Sequence, residues 1–248
     1  MKRIITFFAI AAFIMAFSAC SKSSVDFQTP ELNEYFPLET GKYITYNLDS
    51  VIYINFGTTA VTRSYQVKYE VDSLVTDNLG RPAYRIFRYI RNSPASAWLP
   101  DQSFTAVNSS TSLEFIENNM RFIKLKQPVR DNFSWKGNTY IDTYSLNSQV
   151  KYMDDWDYIY DSVGLPLQVG SYDLAKALVV NHRDEIIGNP ADPNSYHEIN
   201  YSQEKYASGI GLVYRNFFHG EYQPPVPGLG GYYVDGSYGI TLTMIDHN

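Results

Sequence analysis

Asp154-Asp155-Trp156-Asp157, followed by Asp161, sets carboxylates among the aromatic side chains of Trp156, Tyr158 and Tyr160. Such a set has three uses. Carboxylate oxygens can hold a hard cation such as Ca²⁺. Two carboxyl groups facing each other across a cleft, roughly 5–10 Å apart, can work as the acid/base pair of a glycan-acting hydrolase, with Trp or Tyr gripping a sugar. Or the segment is a strand, with a wet acidic face opposite an aromatic core face. The central Gly and terminal Glu of an EF-hand loop are absent. Asp155, Trp156 and Asp157 are the ligand-contact candidates here. A second candidate is the loop from Glu221 to Tyr233, rich in Tyr, Pro and Gly. Its Tyr222, Tyr232 and Tyr233 are stiff and amphipathic, suited to a partner protein or a glycan; packing on its own aromatics is the other use of such a loop.

Other chemistries find no pattern. The histidines at 182, 197, 219 and 247 make no His-x-His or His-x-x-x-His pair and read as surface or core residues. Asp235-Gly236-Ser237-Tyr238-Gly239 lacks the first glycine of a nucleophile elbow. Gly228 to Gly231 precedes a strand and not the helix that a phosphate loop needs. No cofactor site and no catalytic residue is expected.

The single cysteine is the other reactive position. Met1-Lys2-Arg3 is a basic start, Ile4 to Phe17 is uncharged and almost wholly apolar, and Ser18-Ala19 are small. That is the layout of a secretory signal, and the run is shorter than a bilayer-spanning helix needs. Phe17-Ser18-Ala19-Cys20 resembles a bacterial lipobox, whose common form has Leu first. The resemblance implies cleavage after Ala19 and acylation of Cys20, with several acyl chains making a stable anchor. Ser21 follows in place of the Asp that often retains lipoproteins in the inner membrane, which by the same resemblance favours the outer membrane. No dense acidic run after Cys20 argues for surface display, so the face is open.

Loss of Lys2 and Arg3 takes the formal charge from −6 to about −8. An acidic domain without clustered Lys and Arg argues against nucleic acid and against electrostatic docking on anionic lipid. With Cys20 acylated, no thiol remains for disulfides, Cys-based zinc sites or thiol catalysis.

The elements that must position these residues read as strands. The chain holds 22 Tyr and 14 Phe, types that favour pleated, half-buried surfaces. Tyr65, Val67, Tyr69 and Val71 alternate with Gln66, Lys68, Glu70 and Asp72, a period of 2. Strands are expected from Gly41 to about Asn55, Tyr65 to Val75, Pro82 to Arg91, Val150 to Asp161 (ended by Gly164 and Pro166) and Tyr238 to Ile245, with two more within Tyr196–Phe218. Asn118-Asn119 predicts a two-residue hairpin turn that sets Glu117 opposite Met120 and Phe115 opposite Phe122. Trp98-Leu99-Pro100 reads as a loop packed over the sheet, Gln127–Asn138 as irregular with Trp135 in a tucked turn, and Ser171–Val180 as a segment able to form a helical turn before a strand from Ala177 to Ile187. The expected organisation is a signal peptide at 1–19, a flexible tether at 20–34 and one β-rich domain at 35–248. The fold class is all-β: a curved antiparallel sheet, half-barrel or sandwich, with long loops and little helix.

Tyr206-Ala207-Ser208-Gly209-Ile210-Gly211-Leu212-Val213-Tyr214-Arg215 is similar to a segment of β-rich envelope lipoproteins, especially uncharacterised ones of the Bacteroidota. The opening Tyr35–Tyr46 and the tail Tyr238–Asp246 resemble the same group. The resemblance implies a curved antiparallel sheet on a lipid tether and brings no catalytic residues. The expected function is that of a lipid-anchored, non-catalytic binding or structural module of the envelope. Its possible partners are an envelope protein, a glycan or an apolar ligand; the alternative is a glycan-acting or glycan-binding protein working through Asp154–Asp161.

Overall fold

Strict alternation needs a surface that is wet on one side, and a sheet curled on itself supplies one. The computed structural model describes residues 29–248. A short helix, α1 (Leu32–Tyr35), precedes β1 (Tyr43–Ile54), β2 (Thr59–Thr76), β3 (Pro82–Arg91), β4 (Leu99–Asn108), β5 (Ser112–Glu117), β6 (Met120–Lys126) and β7 (Ser134–Lys136). A 3-10 turn (Lys151–Met153) leads to β8 (Asp157–Val169), β9 (Tyr172–Gly188), β10 (His197–Ala207), β11 (Gly211–Gln223), β12 (Tyr232–Tyr233) and β13 (Tyr238–His247). All pair antiparallel in the order β6-β5-β4-β3-β2-β1-β13-β11-β10-β9-β8-β7, with β12 beside β11. The expected all-β, curved antiparallel sheet is present, rolled into a nearly closed barrel.

β6 and β7 are the two free edges, and polar contacts stitch them together. Ile123 N–H donates to Gly137 O at 2.8 Å and Trp135 Nε1–H to Ile123 O at 2.8 Å. Tyr160 Oη accepts from Lys126 N at 2.7 Å and donates to Lys126 O at 2.9 Å. An edge tied this way does not offer its backbone to a foreign strand. Gly137 is required at the seam, because a Cβ there would lie 2.4 Å from the Tyr158 ring.

The Asn118-Asn119 turn forms as expected, both residues at positive φ, with Glu117 opposite Met120 and Phe115 opposite Phe122. Other expectations need correction. The segment at 99–108 is β4, with Phe104 and Ala106 buried and Leu99 exposed, so no loop covers the sheet there. Trp135 is a buried residue of β7. Lys151–Met153 is a 3-10 turn and not strand, while β8 runs through Gly164 and Pro166, absorbing them as register shifts. Bulges let a ladder pass residues that cannot pair within it. Tyr172–Gly188 is continuous strand, without the helical turn. The hairpin of β8 and β9 reaches past its neighbours, and Tyr172 Oη donates to Ile245 O at 3.0 Å.

The expected tether at 20–34 falls partly outside the described residues. Its last part is packed chain: Leu32 and Tyr35 are buried, Ser208 Oγ donates to Glu34 at 2.8 Å, and Gln127 Nε2 donates to Pro30 O at 2.9 Å. α1 therefore closes the barrel end that carries the β2–β3, β6–β7 and β10–β11 turns. Phe36 packs there on Phe115 and Tyr206.

Candidate functional site

Inside the barrel the inward positions are not all apolar. Along β10 the inward residues Asn200, Ser202, Glu204 and Tyr206 are buried. Glu204 is 1 % exposed and is the hub of an ionic cluster. Lys124 Nζ lies 2.7 Å from its Oε1, Tyr206 Oη donates to its Oε2 at 2.5 Å, and His182 Nε2 and Arg215 Nε stand 3.6 and 3.7 Å away. Arg215 Nη1 also donates to Glu117 at 3.2 Å.

Two β-bulges bring Lys124 and His182 in. Between β5 and β6 the register passes from Leu113↔Leu125 to Glu114↔Ile123, leaving Lys124 as the extra residue. Between β9 and β10 it passes from Ser202↔Arg183 to Gln203↔Asn181, leaving His182 as the extra residue. A bulge re-aims a side chain without ending the strand. Here the two unpaired residues come from opposite walls to the same carboxylate. His182 stacks on Tyr158 at 3.8 Å, and its Nδ1 is 2.9 Å from Ser202 Oγ.

The electrostatics follow from burial and pairing. Burial pushes His182 down to about 3, against the pull of Glu204, so the ring is neutral at ordinary pH. Burial works against the Glu204 carboxylate, yet the charges of Lys124 and Arg215 outweigh it and hold it below the usual range. Burial likewise opposes the charge of Arg215, and Glu117 and Glu204 restore it. Within the cluster two nitrogens remain without a hydrogen-bond partner, His182 Nε2 and Arg215 Nε; elsewhere among the described residues Arg183 Nε, His197 Nδ1 and His247 Nδ1 are also without one. The distances of the first two to Glu204 exceed a hydrogen bond.

The cluster divides two chambers. One, of about 70 Å³, is mostly apolar and lies beneath Phe36 and Pro37; the other, of about 220 Å³, contains His182, Ser202, Arg88 and Gln102 in its wall. Tyr69, Glu117, Lys124, Arg215 and Leu242 belong to both. Glu204 faces the small chamber, whereas Trp156, Tyr158, Phe217 and Tyr238 face the large one.

In the acidic segment only Asp157 onward is strand, and Asp154-Asp155 form the turn before it, yet the carboxylates and the indole still lie on different sides. Asp155 and Asp157 are exposed and share one cation, Lys136 Nζ, at 2.5 and 3.0 Å. Trp156 is 2 % exposed, donates from Nε1 to Tyr152 O at 2.7 Å and faces the chamber. Asp154, Asp155 and Trp156 still line one surface pocket of about 260 Å³ together with Tyr144, whereas Asp157 lies outside it. Among the described residues no three His, Cys, Asp or Glu converge as a metal cage, so the Ca²⁺ arrangement is not built.

The tyrosine loop packs on neighbouring segments of the chain, with one aromatic contact of its own, Tyr222 on Tyr233 at 5.3 Å. Tyr222 stacks on His197 at 4.6 Å and donates to Pro193 O at 3.0 Å, and Tyr233 stacks on Tyr53 at 4.2 Å. Tyr232 pairs Gln223, and none of Tyr222, Tyr232 and Tyr233 faces the chambers. Cys20 lies outside the described residues. The buried cluster escaped the sequence reading because His182 and Glu204 are polar residues in strands with polar residues on both faces. No family model matches the chain, and no curated protein or solved structure matches it.

Proposed function

We propose that the chain is a lipid-anchored, non-catalytic binding module of the bacterial cell envelope, attached to the outer membrane through Cys20, that holds a small ligand inside its barrel. The observation that carries the binding role is the 220 Å³ chamber with buried His182 Nε2 and Arg215 Nε left unpartnered. Buried polar groups are almost always satisfied in folded proteins, so two such atoms at one cavity argue for an occupant. The size argues for a small molecule, because pockets for drug-sized ligands start at about 300 Å³. Catalysis has less support: the buried charged groups are paired with one another, and Ser202 Oγ, a hydroxyl 2.9 Å from the base His182 Nδ1, belongs to this paired interior.

The anchor reading rests on the leader and Cys20. From Cys20 to Thr29 an extended chain reaches about 30 Å, which would hold the α1 end of the barrel towards the membrane. Detergent phase partitioning tests the anchor: wild type should enter the detergent phase and a Cys20→Ala variant should be aqueous or unprocessed. A Cys20→Ala protein still firmly in membranes overturns it. Native mass spectrometry of the protein purified from its own cells tests the binding role. A small copurifying mass supports it, and a bare protein mass in gentle conditions counts against it.

A further inference from the structure

The mouth of the barrel at the end away from α1 holds a third cavity, of about 520 Å³. The inward row of β10 runs up into it. Glu198 and Asn200 stand there above Ser202 and Glu204, with Glu221 and His219 opposite them on β11 and Glu185 opposite Asn200 on β9. Tyr152, stacked on His219 at 3.6 Å, lines the mouth, while its neighbours Met153 and Trp156 line the large chamber. Carboxylates outnumber cations in this wall. Asp154, Glu185, Glu198, Glu221 and Asp235 stand against Lys151 and Arg183, five against two, a net charge of −3. Arg183 is paired with Glu185 at 2.5 Å, and Lys151 Nζ donates to Leu146 O at 3.0 Å. Among the described residues the other four carboxylates have no Lys or Arg partner.

His219 adds an independent vacancy and fixes its sign. The residue is 6 % exposed. Asn200 Nδ2 donates to Glu198 at 2.8 Å and to Glu185 at 3.3 Å, and a carboxylate only accepts. The Asn200 amide is therefore turned with Oδ1 towards His219 Nδ1, 2.8 Å away, and Nδ1 carries the ring proton. Burial lowers the His219 pKa, so the ring is neutral at pH 7. Nε2 is then a lone-pair acceptor, open to the mouth and without a protein partner among the described residues. Its complement is an N–H donor, and the carboxylates around it ask that the donor be positively charged. The acids do not converge as a metal cage; charges spread around a rim suit charges spread along a chain.

From this geometry we infer that the mouth binds a small aliphatic polyamine, one ammonium group donating to His219 Nε2 beside Glu198 and the others paired with Glu221, Asp154 and Asp235. The volume lies within the range of about 300–1,000 Å³ usual for small-molecule pockets. This site is separate from the large chamber and does not depend on what the chamber holds.

The test is calorimetry of the full chain in detergent, at about 0.15 M salt to screen diffuse attraction, with spermidine, 1,4-diaminobutane, the bis(trimethylammonium) analogue of diaminobutane, and Ca²⁺. Spermidine should bind about tenfold more tightly than diaminobutane, the gain expected for one more charge-assisted hydrogen bond. The quaternary analogue keeps both charges and has no N–H, and it should bind about tenfold more weakly than diaminobutane. Ca²⁺ should not displace spermidine. Glu221→Gln should weaken spermidine by about tenfold, whereas Asp173→Asn, the same change of charge at an exposed position of the β8–β9 hairpin, should leave it unchanged. Equal affinity for diaminobutane and its quaternary analogue overturns the donor contact at His219. Displacement by equimolar Ca²⁺, or equal weakening by the two variants, overturns the polyamine site in favour of general cation attraction. Folded wild-type protein that does not bind spermidine at millimolar concentration overturns it outright. The ranking of probes on wild type does not depend on the folding of any variant, and none of these outcomes bears on the large chamber.

Discussion

The barrel contains two ionic clusters, and they are built to different standards. In the wall, Asp77, Arg81, Glu114 and Arg121 tie the β2–β3 turn to β5 and β6. Asp77 accepts from the backbone of Leu79 and Arg81 at 2.9 and 2.8 Å and from Arg81 Nε at 3.0 Å. Glu114, though 3 % exposed, accepts from Arg81 at 3.1 and 2.6 Å and also from Arg121. No buried polar atom of this group lacks a partner. The interior cluster around Glu204 has comparable charges and leaves two nitrogens open beside a cavity. Saturated charges fasten a fold. Unsaturated ones are kept at a free-energy cost, which the proposed occupant of the chamber would relieve.

The sharpest way to break that contrast is to remove each hub. Glu204→Ala strands Lys124 and Arg215 in the interior, and the expected loss is about 3–5 kcal/mol in denaturant unfolding. Glu114→Ala should cost less, about 1–2 kcal/mol, because Arg81 is already 34 % exposed and water can take over its hydrogen bonds. Equal losses would erase the distinction between the clusters.

Acidification gives the next effect. His182 titrates near 3 in the fold and near 6.5 unfolded. The unfolded chain therefore binds the proton first. The stability tied to neutral His182 is complete above about pH 6.5 and is lost as pH falls towards 3. Unfolding midpoints should decline between pH 7.5 and 5, before the carboxylates titrate, and His182→Phe should flatten most of that decline. His219, also lowered by burial, accounts for the remainder. An unchanged slope in His182→Phe would mean that the ring is not held neutral.

The smallest effect is expected at the exposed acidic face. Lys136 bridges Asp155 and Asp157 in solvent, and isolated surface pairs contribute little. Lys136→Ala should leave the melting temperature unchanged within error. A large drop would show that this face does more than stay wet.

Much of the fold was legible where pattern and turn chemistry agree. Alternation in Tyr65–Val71 marks β2, and Asn118-Asn119 sets the register of β5 and β6 because both residues tolerate positive φ. The indole inside and the carboxylates outside match the expected faces, but through the turn that precedes β8, with Asp155 at positive φ, and not through strand alternation. β4 was not legible, since Asp101-Gln102-Ser103 is polar and its ladder partners lie in other segments. The continuation of β8 through Gly164 and Pro166 was hidden for the same reason: local breakers were overruled by pairing with β9.

The candidate chamber was less legible still. Sequence by itself determined the strand-rich class, the acidic charge and the period that divides each strand into two faces. Which polar residues turn inward was decided by tertiary structure. Lys124 and His182 reach Glu204 only because a bulge in each strand inserts one unpaired residue, and because closing the sheet brings β6 opposite β10. A bulge is a property of two strands in register, and closure is a property of the whole sheet. Neither is present in any single stretch of residues.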